Sequence, residues 1–180
     1  YGLGYSMVVA GGGQDQYESR REISFLGRRA DGNHDGWQAG IYTEHGLTFG
    51  LSNLFFQPYG ALQYVYLGQD GFTETGASSV NLVVDDSSFN SFRMLLGGRL
   101  AGSFLGPTWE LRAQWVHELL SETAPVVNAG FQGGWDPTFA IEGASLGRDW
   151  ALLGAGVDWQ ILPRCSVFAN YDWQVNAYQS

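Results

Sequence analysis

Residues 150–160 alternate between two chemically different faces, and this pattern constrains the fold more than any other feature of the chain. One set of alternate positions is apolar and consists of Ala151, Leu153, Ala155, Val157 and Trp159. The other set includes Gly154, Gly156 and Asp158. A period of two is typical of a β-strand whose faces have different surroundings. Because a soluble core needs large apolar side chains rather than glycine and aspartate, the second face is predicted to face water and the first an apolar medium.

The numbers of glycine, arginine and acidic residues limit the classes of protein to which the chain can belong. The 180 residues include 26 glycines, about twice the number expected from an average usage of about 7%. Lysine is absent, so all 9 basic residues are arginines, against 18 acidic residues and a net charge of −9. This balance argues against a nucleic-acid partner, whose phosphates need a basic surface. The length predicts a single domain over residues 1–180.

No apolar run approaches the roughly 18 residues that a membrane-spanning helix needs. A β-barrel needs no such run, because only every second residue of its strands contacts lipid. The sequence shows no secretory signal at its start, and Tyr1 falls inside a predicted strand. We therefore expect the chain to be a piece of a longer protein.

Period-two patterning and turn residues together predict about seven strands. These strands cover residues 2–17, 37–44, 58–67, 91–104, 108–119, 150–160 and 165–178, with a short strand extension at 81–84. The segment 108–119 also fits a helix, because Leu111, Trp115 and Leu119 are spaced 4 residues apart. Its neighbours favour a strand.

The connections between these strands alternate in length. Long polar stretches cover residues 20–35, 69–90 and 121–147, whereas the short connectors cover 51–57, 105–107 and 162–164. Outer-membrane barrels have short periplasmic turns and long external loops. The fold class predicted here is therefore all-β, an antiparallel up-and-down transmembrane β-barrel. In this orientation the first and the last strand both run outward, and since closed bacterial barrels have an even strand count, we expect a further strand beyond Ser180.

The arginines support the same assignment. An arginine that faces lipid at mid-bilayer costs about 2 to 4 kcal/mol, so Arg93, Arg99 and Arg112 are predicted to face the lumen. The predicted lumen lining, which would contact a passenger or linker segment, consists of Glu44, Arg93, Arg99, Glu110, Arg112, Gln114, Asp158 and Asp172. The plainer interpretation is an ordinary polar lumen, in which opposite charges pair across strands and water fills the rest.

Aromatic residues cluster near the ends of the predicted strands. The expected membrane-interface aromatics are Trp37, Tyr59, Phe104, Trp109 and Trp159. Such rings favour the headgroup region of a bilayer. The alternative is that they form the core of a soluble sandwich.

Motifs spread over nearly the whole chain are similar to those of one known family. They read YESRREISF at 17–25, HDG at 34–36, PYGALQY at 58–64, QDGFTETGA at 69–77, SFRMLLGGRL at 91–100, ELRAQWVHEL at 110–119 and GASLGRDWALLGAG at 143–156. Their order and spacing resemble the C-terminal translocator barrel of autotransporters, the type V secretion family. The chain departs from the family at Trp109, where relatives commonly have proline, and at Cys165.

The resemblance implies a fold and a function. It implies a barrel of about twelve strands, within the range of outer-membrane barrels, of which this chain holds about seven and is incomplete at both ends. It further implies that the barrel anchors and exports an N-terminal passenger in the outer membrane of a Gram-negative-type bacterium. The expected partners are outer-membrane lipid, the protein's own passenger or linker, and the barrel-assembly machinery. An enzymatic activity is not expected.

Other chemistry finds little support in the sequence. His34, His45 and His117 lack the spacing of metal ligands, and no Gly-x-Ser-x-Gly nucleophile motif occurs. We therefore expect no metal, no cofactor and no catalytic residue. For residues 147–149, which read Gly-Arg-Asp, a structural role at the barrel rim is predicted.

Two alternatives of other classes remain at this point. One is a small outer-membrane adhesin or porin-like barrel without a passenger. The other is an enzyme or a soluble lectin-like sandwich, which requires that the alternation reflects two packed sheets.

Overall fold

The computed structural model describes residues 2–104, 106–121, 124–134, 138–145 and 147–176. The strands are β1 (Gly2–Ile23), β2 (Arg28–Leu51), β3 (Leu54–Gln69), β4 (Phe72–Thr73), β5 (Leu82–Val84), β6 (Ser87–Ser103), β7 (Thr108–Glu118), β8 (Val126–Phe131), β9 (Phe139–Glu142), β10 (Asp149–Leu162) and β11 (Cys165–Asn176). Short 3₁₀ turns cover Ser24–Leu26 and Ser78–Val80. Neither turn has the length or the apolar content of a membrane-crossing helix, and the described residues contain no other candidate.

The main sheet has seven strands in the order β1-β2-β3-β6-β7-β10-β11, and each pair of neighbours is antiparallel. It forms a half-barrel, which confirms the predicted all-β antiparallel fold class. The helical alternative for 108–119 is wrong, because β7 pairs with β6 on one side and with β10 on the other. Propensity for a helix is overridden here by the two neighbouring strands.

From β2 onward the connections alternate in length as predicted. Short connections join β2 to β3, β6 to β7 and β10 to β11, all at one end of the half-barrel. Longer connections join β3 to β6 and β7 to β10 at the opposite end. Leu105 in the second short turn and Tyr178 at the predicted end of the last strand lie outside the described residues.

The first long stretch is a hairpin rather than a loop. The register of β1 with β2 runs without interruption from Gly2↔Phe49 to Ile23↔Arg28. The turn closes at Gly27, whose φ of 59° lies in the left-handed region that glycine adopts at the least steric cost. The stretch 20–35 was predicted to be a loop with strand extensions at its edges. The extensions instead continue to the turn itself, where the apolar side chains of Ile23 and Ala30 are buried with Ala77.

A second sheet stands at the end with the long connections, in the order β4-β5-β8-β9. The predicted extension at 81–84 corresponds to β5, whereas β8 and β9 lie in the stretch 121–147, which was expected to be a loop. An isolated β-bridge between Asp31 and Thr75 joins β2 to the segment between β4 and β5. The inserted loops therefore have regular structure of their own.

The two faces of the main sheet follow from its register. Directly opposed residues of antiparallel strands lie on the same face. One row runs across the strands through Glu44, Ala61, Leu95, Val116 and Trp150, and the last four of these form a buried cluster. We call the face that carries this row the inward face.

The outward face is apolar and exposed. It carries Val8, Ile41, Leu62, Leu96, Leu111, Leu153, Val157 and Val167, each of which is exposed by at least 41%. A contiguous apolar surface of this kind on a soluble protein would be an interaction or aggregation site. The sheet is thus apolar outside and polar inside, the reverse of a soluble protein.

Candidate functional site

The structure places all eight predicted lumen residues on the inward face. Glu44 belongs to the row that defines this face. Arg93 and Arg99 on β6, and Glu110 and Arg112 on β7, are an even number of residues away from the members of that row on their own strands, so they lie on the same face. Gln114 faces Gly97 on the same side, Asp158 faces Thr108, and Asp172 faces Gly154. Their contact with a passenger or a linker stays a prediction. They divide into three groups that differ in burial and hydrogen bonding.

The first group surrounds Glu44 and is closed; we call it the Glu44 clamp. Arg99 Nη1 donates to Glu44 Oε1 at 2.8 Å, and Arg99 Nη2 donates to Oε2 at 2.9 Å. The Tyr5 hydroxyl donates to Oε1 at 2.7 Å, and the Tyr42 hydroxyl donates to Oε2. Glu44 is 0% exposed, yet both of its oxygens have two donors. A buried carboxylate is tolerated because it is paired and hydrogen-bonded in this way.

The clamp depends on an aromatic ring seated over a glycine. The Arg99 guanidinium carbon lies 4.3 Å from the centroid of the Tyr59 ring, a cation–π geometry. The Tyr59 ring also lies over Gly97. A Cβ added at Gly97 would lie 2.7 Å from Tyr59 and 2.8 Å from the Cβ of Gln114. The Tyr59 hydroxyl donates to Gln114 Oε1 at 2.6 Å. Part of the glycine surplus therefore serves close approach of tyrosine rings.

Tyr59 corrects one prediction. It was expected among the membrane-interface aromatics, but it lies on the inward face and is only 8% exposed. The reason is parity: on β3 the odd positions face inward with Ala61, whereas Tyr64 and Tyr66 face outward. The nearness of a residue to the end of its strand determines its position along the barrel axis, but it does not determine which face of the sheet its side chain is on.

The second group surrounds Arg112 and is open; we call it the Arg112 group. Arg112 Nη1 donates to Glu110 Oε1 at 2.7 Å, and Nη2 donates to Asp172 Oδ1 at 2.9 Å. The side chain of Asp172 is 66% exposed and that of Glu110 37%. A cavity of 370 Å³ borders Glu110, Arg112 and Asp158. No hydrogen bond or ion pair joins the Asp158 carboxylate to the described residues, so the group keeps acidic capacity for a further partner.

The third group centres on Glu118, which sequence reasoning missed. Glu118 is 3% exposed and accepts hydrogen bonds from the Ser91 hydroxyl at 2.6 Å and from the Phe92 amide at 2.8 Å. Arg93 Nε lies 3.4 Å from Glu118 Oε2, and its guanidinium carbon lies 5.1 Å from the centroid of the Trp150 ring. The signal was available, because Glu118 has the same parity on β7 as Glu110 and Arg112.

Four of the predicted interface aromatics flank the apolar outward face. Phe104 follows β6, Trp109 lies at the start of β7, and Trp159 lies near the end of β10, all close to the short turns. Trp37 lies nearer the opposite end and packs on Tyr66 with a centroid distance of 4.5 Å. These positions match two belts at the edges of an apolar band, and contact with a membrane stays a prediction.

An ion pair outside the apolar band links β1 to the segment between β4 and β5 and so holds these loop elements together. Arg21 Nε donates to Glu74 Oε1 at 3.2 Å, and Arg21 Nη2 donates to the Val80 carbonyl at 2.9 Å. Glu74 also accepts from the Leu82 amide at 2.8 Å. Burial opposes ionisation of Glu74, but the hydrogen bonds from Arg21 and Leu82 outweigh it and hold the pKa of this carboxyl below its ordinary value.

Residues 147–149 make contacts that accord with the predicted structural role. Arg148 Nη2 donates to the carbonyl of Glu118 at 3.3 Å. Asp149 accepts from Trp115 Nε1 at 3.0 Å and lies 2.8 Å from Nδ1 of His117. Within the described residues no group of three His, Cys, Asp or Glu side chains is arranged to hold a metal ion.

The family model described as the autotransporter beta-domain matches residues 2–172. No curated protein matches the sequence. The match covers the whole main sheet except the last residues of β11.

Proposed function

Because the chain belongs to the autotransporter β-domain family, whose members are outer-membrane translocator barrels, we propose that it anchors and exports a passenger segment attached on its N-terminal side. The observation that carries this proposal is the reversal of the two faces. Charged and hydroxylated side chains lie on the inward face beside a buried apolar row, whereas the outward face is apolar and exposed. A protein with this surface is suited to lipid outside and a hydrated polypeptide inside.

The inward face suits a chain that passes without binding tightly. The most deeply buried charged side chain of this face is Glu44. Its carboxylate oxygens already accept hydrogen bonds from side chains of the barrel itself, so Glu44 offers no bond to a moving segment. The Arg112 group is more exposed, and ion pairs of exposed side chains contribute about 0 to 1 kcal/mol each. Weak, exchangeable contacts let a segment slide. The barrel therefore guides the passenger.

Assembly of the barrel involves further partners. The exposed apolar outward face needs outer-membrane lipid as its solvent, and its insertion into that membrane needs the barrel-assembly machinery. A porin-like barrel without a passenger would share the reversed faces, but it has no support from the family match, which names a translocator family.

Surface protection of the N-terminal segment tests the proposal. The protein is expressed in a Gram-negative host with an epitope tag on the segment N-terminal to residue 2, and intact cells are treated with a protease. We expect the tag to be cleaved on intact cells, and we expect removal of β6 to β11 to leave it protected in the periplasm. The matched control is a barrel folding assay, in which the unboiled domain migrates faster than the boiled one on a denaturing gel. A barrel that folds in the outer membrane while the tag stays protected would refute export.

A further inference from the structure

The apolar outward face has a polar interruption on β1 and β2. Ser6 and His45 are directly opposed in the register of these strands, and the Ser6 hydroxyl oxygen lies 2.8 Å from Nδ1 of His45. Both residues are exposed. They have the same parity as Val8 and Ile41, two members of the outward face, so the two side chains point away from the lumen. We call Ser6 and His45 the Ser–His pair.

The pair lies within the apolar band and not at its edges. On β2, Trp37 belongs to the belt nearer the long connections, and Phe49 lies two residues before the end of the strand at a short turn. Of the outward positions between them, which are Ala39, Ile41, Thr43, His45 and Leu47, only that of His45 is ionisable. A strand that rises about 3.3 Å per residue at a tilt of about 40° covers about 10 Å of depth between Phe49 and His45. With the outward face in lipid, the pair is therefore surrounded by hydrocarbon.

The Ser–His pair cannot satisfy its own hydrogen-bonding groups. A neutral imidazole has one N–H and a hydroxyl has one O–H, and the bond between the two side chains uses only one of these donors. In either tautomer of His45, one donor and one acceptor are left over. Neither side chain has a further hydrogen bond to the part of the chain that the structure describes. Because lipid tails supply no partner, the leftover groups need one from another molecule.

A second copy of the chain has the required groups at the required depth. Two barrels in one membrane have the same orientation, so the Ser–His pair of one lies level with that of the other. A two-fold axis along the membrane normal sets His45 of each copy against Ser6 of its partner. The leftover donor of each pair then meets the leftover acceptor of the other, and two hydrogen bonds form across the interface.

The surface beside the pair permits close approach. Gly60 opposes His45 on β3, and a Cβ added at Gly60 would meet only the end of the Leu96 side chain at 3.5 Å. The space over this glycine is therefore open. Val8 and Leu47, which are 64% and 47% exposed, flank the pair with apolar surface. Association within a bilayer depends on close packing and on hydrogen bonds between the partners, and this patch offers both.

We propose that the Ser–His pair is the centre of a two-fold interface between two copies of this barrel in the outer membrane. Self-complementary hydrogen bonding, equal depth and the open surface at Gly60 identify the second copy as the partner. The inference rests on the proposed location of the outward face in lipid, and it does not depend on export of a passenger. It adds an assembly state, a dimer, to the proposed translocator.

Disulfide trapping in the outer membrane tests the interface. The full-length protein is expressed in a Gram-negative host with Cys165 and any other cysteine replaced by serine, and either Leu47→Cys or Leu153→Cys is then introduced. The two leucines are 47% and 41% exposed on the outward face, but only Leu47 lies beside the Ser–His pair. After oxidation we expect a disulfide-linked dimer from position 47 in clear excess over position 153. Equal yields from the two positions would indicate random collision and overturn the proposal.

Removal of the polar pair tests the role of its hydrogen bonds. In the Leu47→Cys background, Ser6→Ala with His45→Leu is expected to lower the yield of crosslinked dimer by about tenfold, because two hydrogen bonds between the copies are lost. The matched control is Thr43→Val, which removes another outward hydroxyl of β2 and leaves the pair intact. We expect the control to crosslink like its parent. An unchanged yield in the double variant, or crosslinks only to another protein, overturns the proposal.

A measurement without substitutions in the pair covers the case in which the double variant does not fold. Cys165 is exposed and accepts a fluorescent label, with any other cysteine replaced by serine. The labelled protein is incorporated into a lipid bilayer at low density, and photobleaching steps are counted for single particles. We expect pairs of steps, whereas single steps throughout overturn the dimer.

Failure of the dimer is distinguishable from failure of the proposed function. If the protein is monomeric in the outer membrane and still exposes its N-terminal segment, the dimer inference is wrong and export stands. If dimers form and the segment stays protected, export is wrong and the dimer stands. If the folded barrel does not enter the membrane, both are wrong.

Discussion

The Glu44 clamp and the Arg112 group use the same chemistry on the same face, and they differ in what surrounds them. In each, an arginine is paired with a carboxylate two strands away in the sheet, and Arg112 has a second partner, Glu110, on its own strand. The Glu44 side chain is 1% exposed and has four hydrogen bonds, whereas that of Asp172 is 66% exposed. The comparison teaches that one charged pair is a closed part of the barrel wall, while the other is exposed enough to exchange its partner.

The largest expected effect comes from breaking the clamp. Glu44→Leu leaves the Arg99 guanidinium without its partner in a buried site, and such a change costs about 3 to 5 kcal/mol of unfolding free energy. Urea unfolding of the refolded barrel in detergent measures the loss. Glu110→Leu in the Arg112 group is the matched control and is expected to cost under about 1 kcal/mol. Similar losses for the two variants would remove the distinction between clamp and open group.

A methyl group tests the same distinction through packing. At Gly97 an added Cβ would meet the ring of Tyr59 and the Cβ of Gln114 at 2.7 and 2.8 Å, so Gly97→Ala is expected to cost about 1 to 3 kcal/mol. At Gly154 the added Cβ would meet only the ends of the Asp172 and Arg112 side chains, which can move aside. Gly154→Ala is therefore expected to cost less than Gly97→Ala in the same unfolding assay. If Gly154→Ala cost more than Gly97→Ala, the ring of Tyr59 would be free to move away from Gly97.

The open group is expected to respond to salt, whereas the clamp is not. Asp172→Asn removes one partner of Arg112 at an exposed site, and we expect a loss below about 1 kcal/mol that shrinks as salt screens the pair. Unfolding at low and at high ionic strength measures this shrinkage. Glu44→Gln serves as the comparison, because its loss is expected to persist at high salt. A salt-independent loss for Asp172→Asn would place Asp172 with the buried charges.

The smallest effect concerns the ion pair that fastens the loops. The folded-state pKa of Glu74 is lowered, so its stabilising contribution is complete above its unfolded pKa of about 4.3 and is lost as the pH falls through the folded value. We expect hydrogen exchange in residues 70–86 to rise on acidification below about pH 4, while the main sheet stays protected. In Glu74→Gln this acid-dependent rise should be absent. Its persistence in that variant would assign it to another group.

The period of two predicted the faces correctly because β6, β7 and β10 meet lipid-like and polar surroundings on opposite sides. Arg93, Arg99 and Arg112 were placed on the inward face from parity alone, and the register agrees. The partners of these arginines could not be predicted, because they depend on the stagger between strands. Tyr5 and Tyr42 join the clamp from positions with no distinguishing sequence pattern.

The pattern failed in residues 20–35, where most side chains are polar and the few apolar ones do not alternate regularly. The register of β1 with β2 nevertheless continues to Ile23 and Arg28, and the side chains of Ile23 and Ala30 are buried. The second sheet was missed for a related reason: β8 and β9 are short and lie among turn residues. Their apolar side chains follow a period of two only over 4 to 6 residues, which is too short to distinguish a strand from a loop.

The length of the β1–β2 hairpin has a consequence for how fast the barrel can enter a membrane. Its 22 paired residues in β1 are about twice the roughly 10 that a tilted strand needs to cross the hydrocarbon core. In the proposed orientation the outer half, with Arg20, Arg21, Arg28 and Arg29, must cross the bilayer during assembly. At about 2.5 to 3.5 kcal/mol for each of the four arginines at the centre of the bilayer, an unaided crossing faces a barrier of about 10 to 14 kcal/mol, which slows it by about seven to ten powers of ten. In that orientation the charges at the hairpin tip are expected to govern the rate of insertion and its dependence on a catalyst.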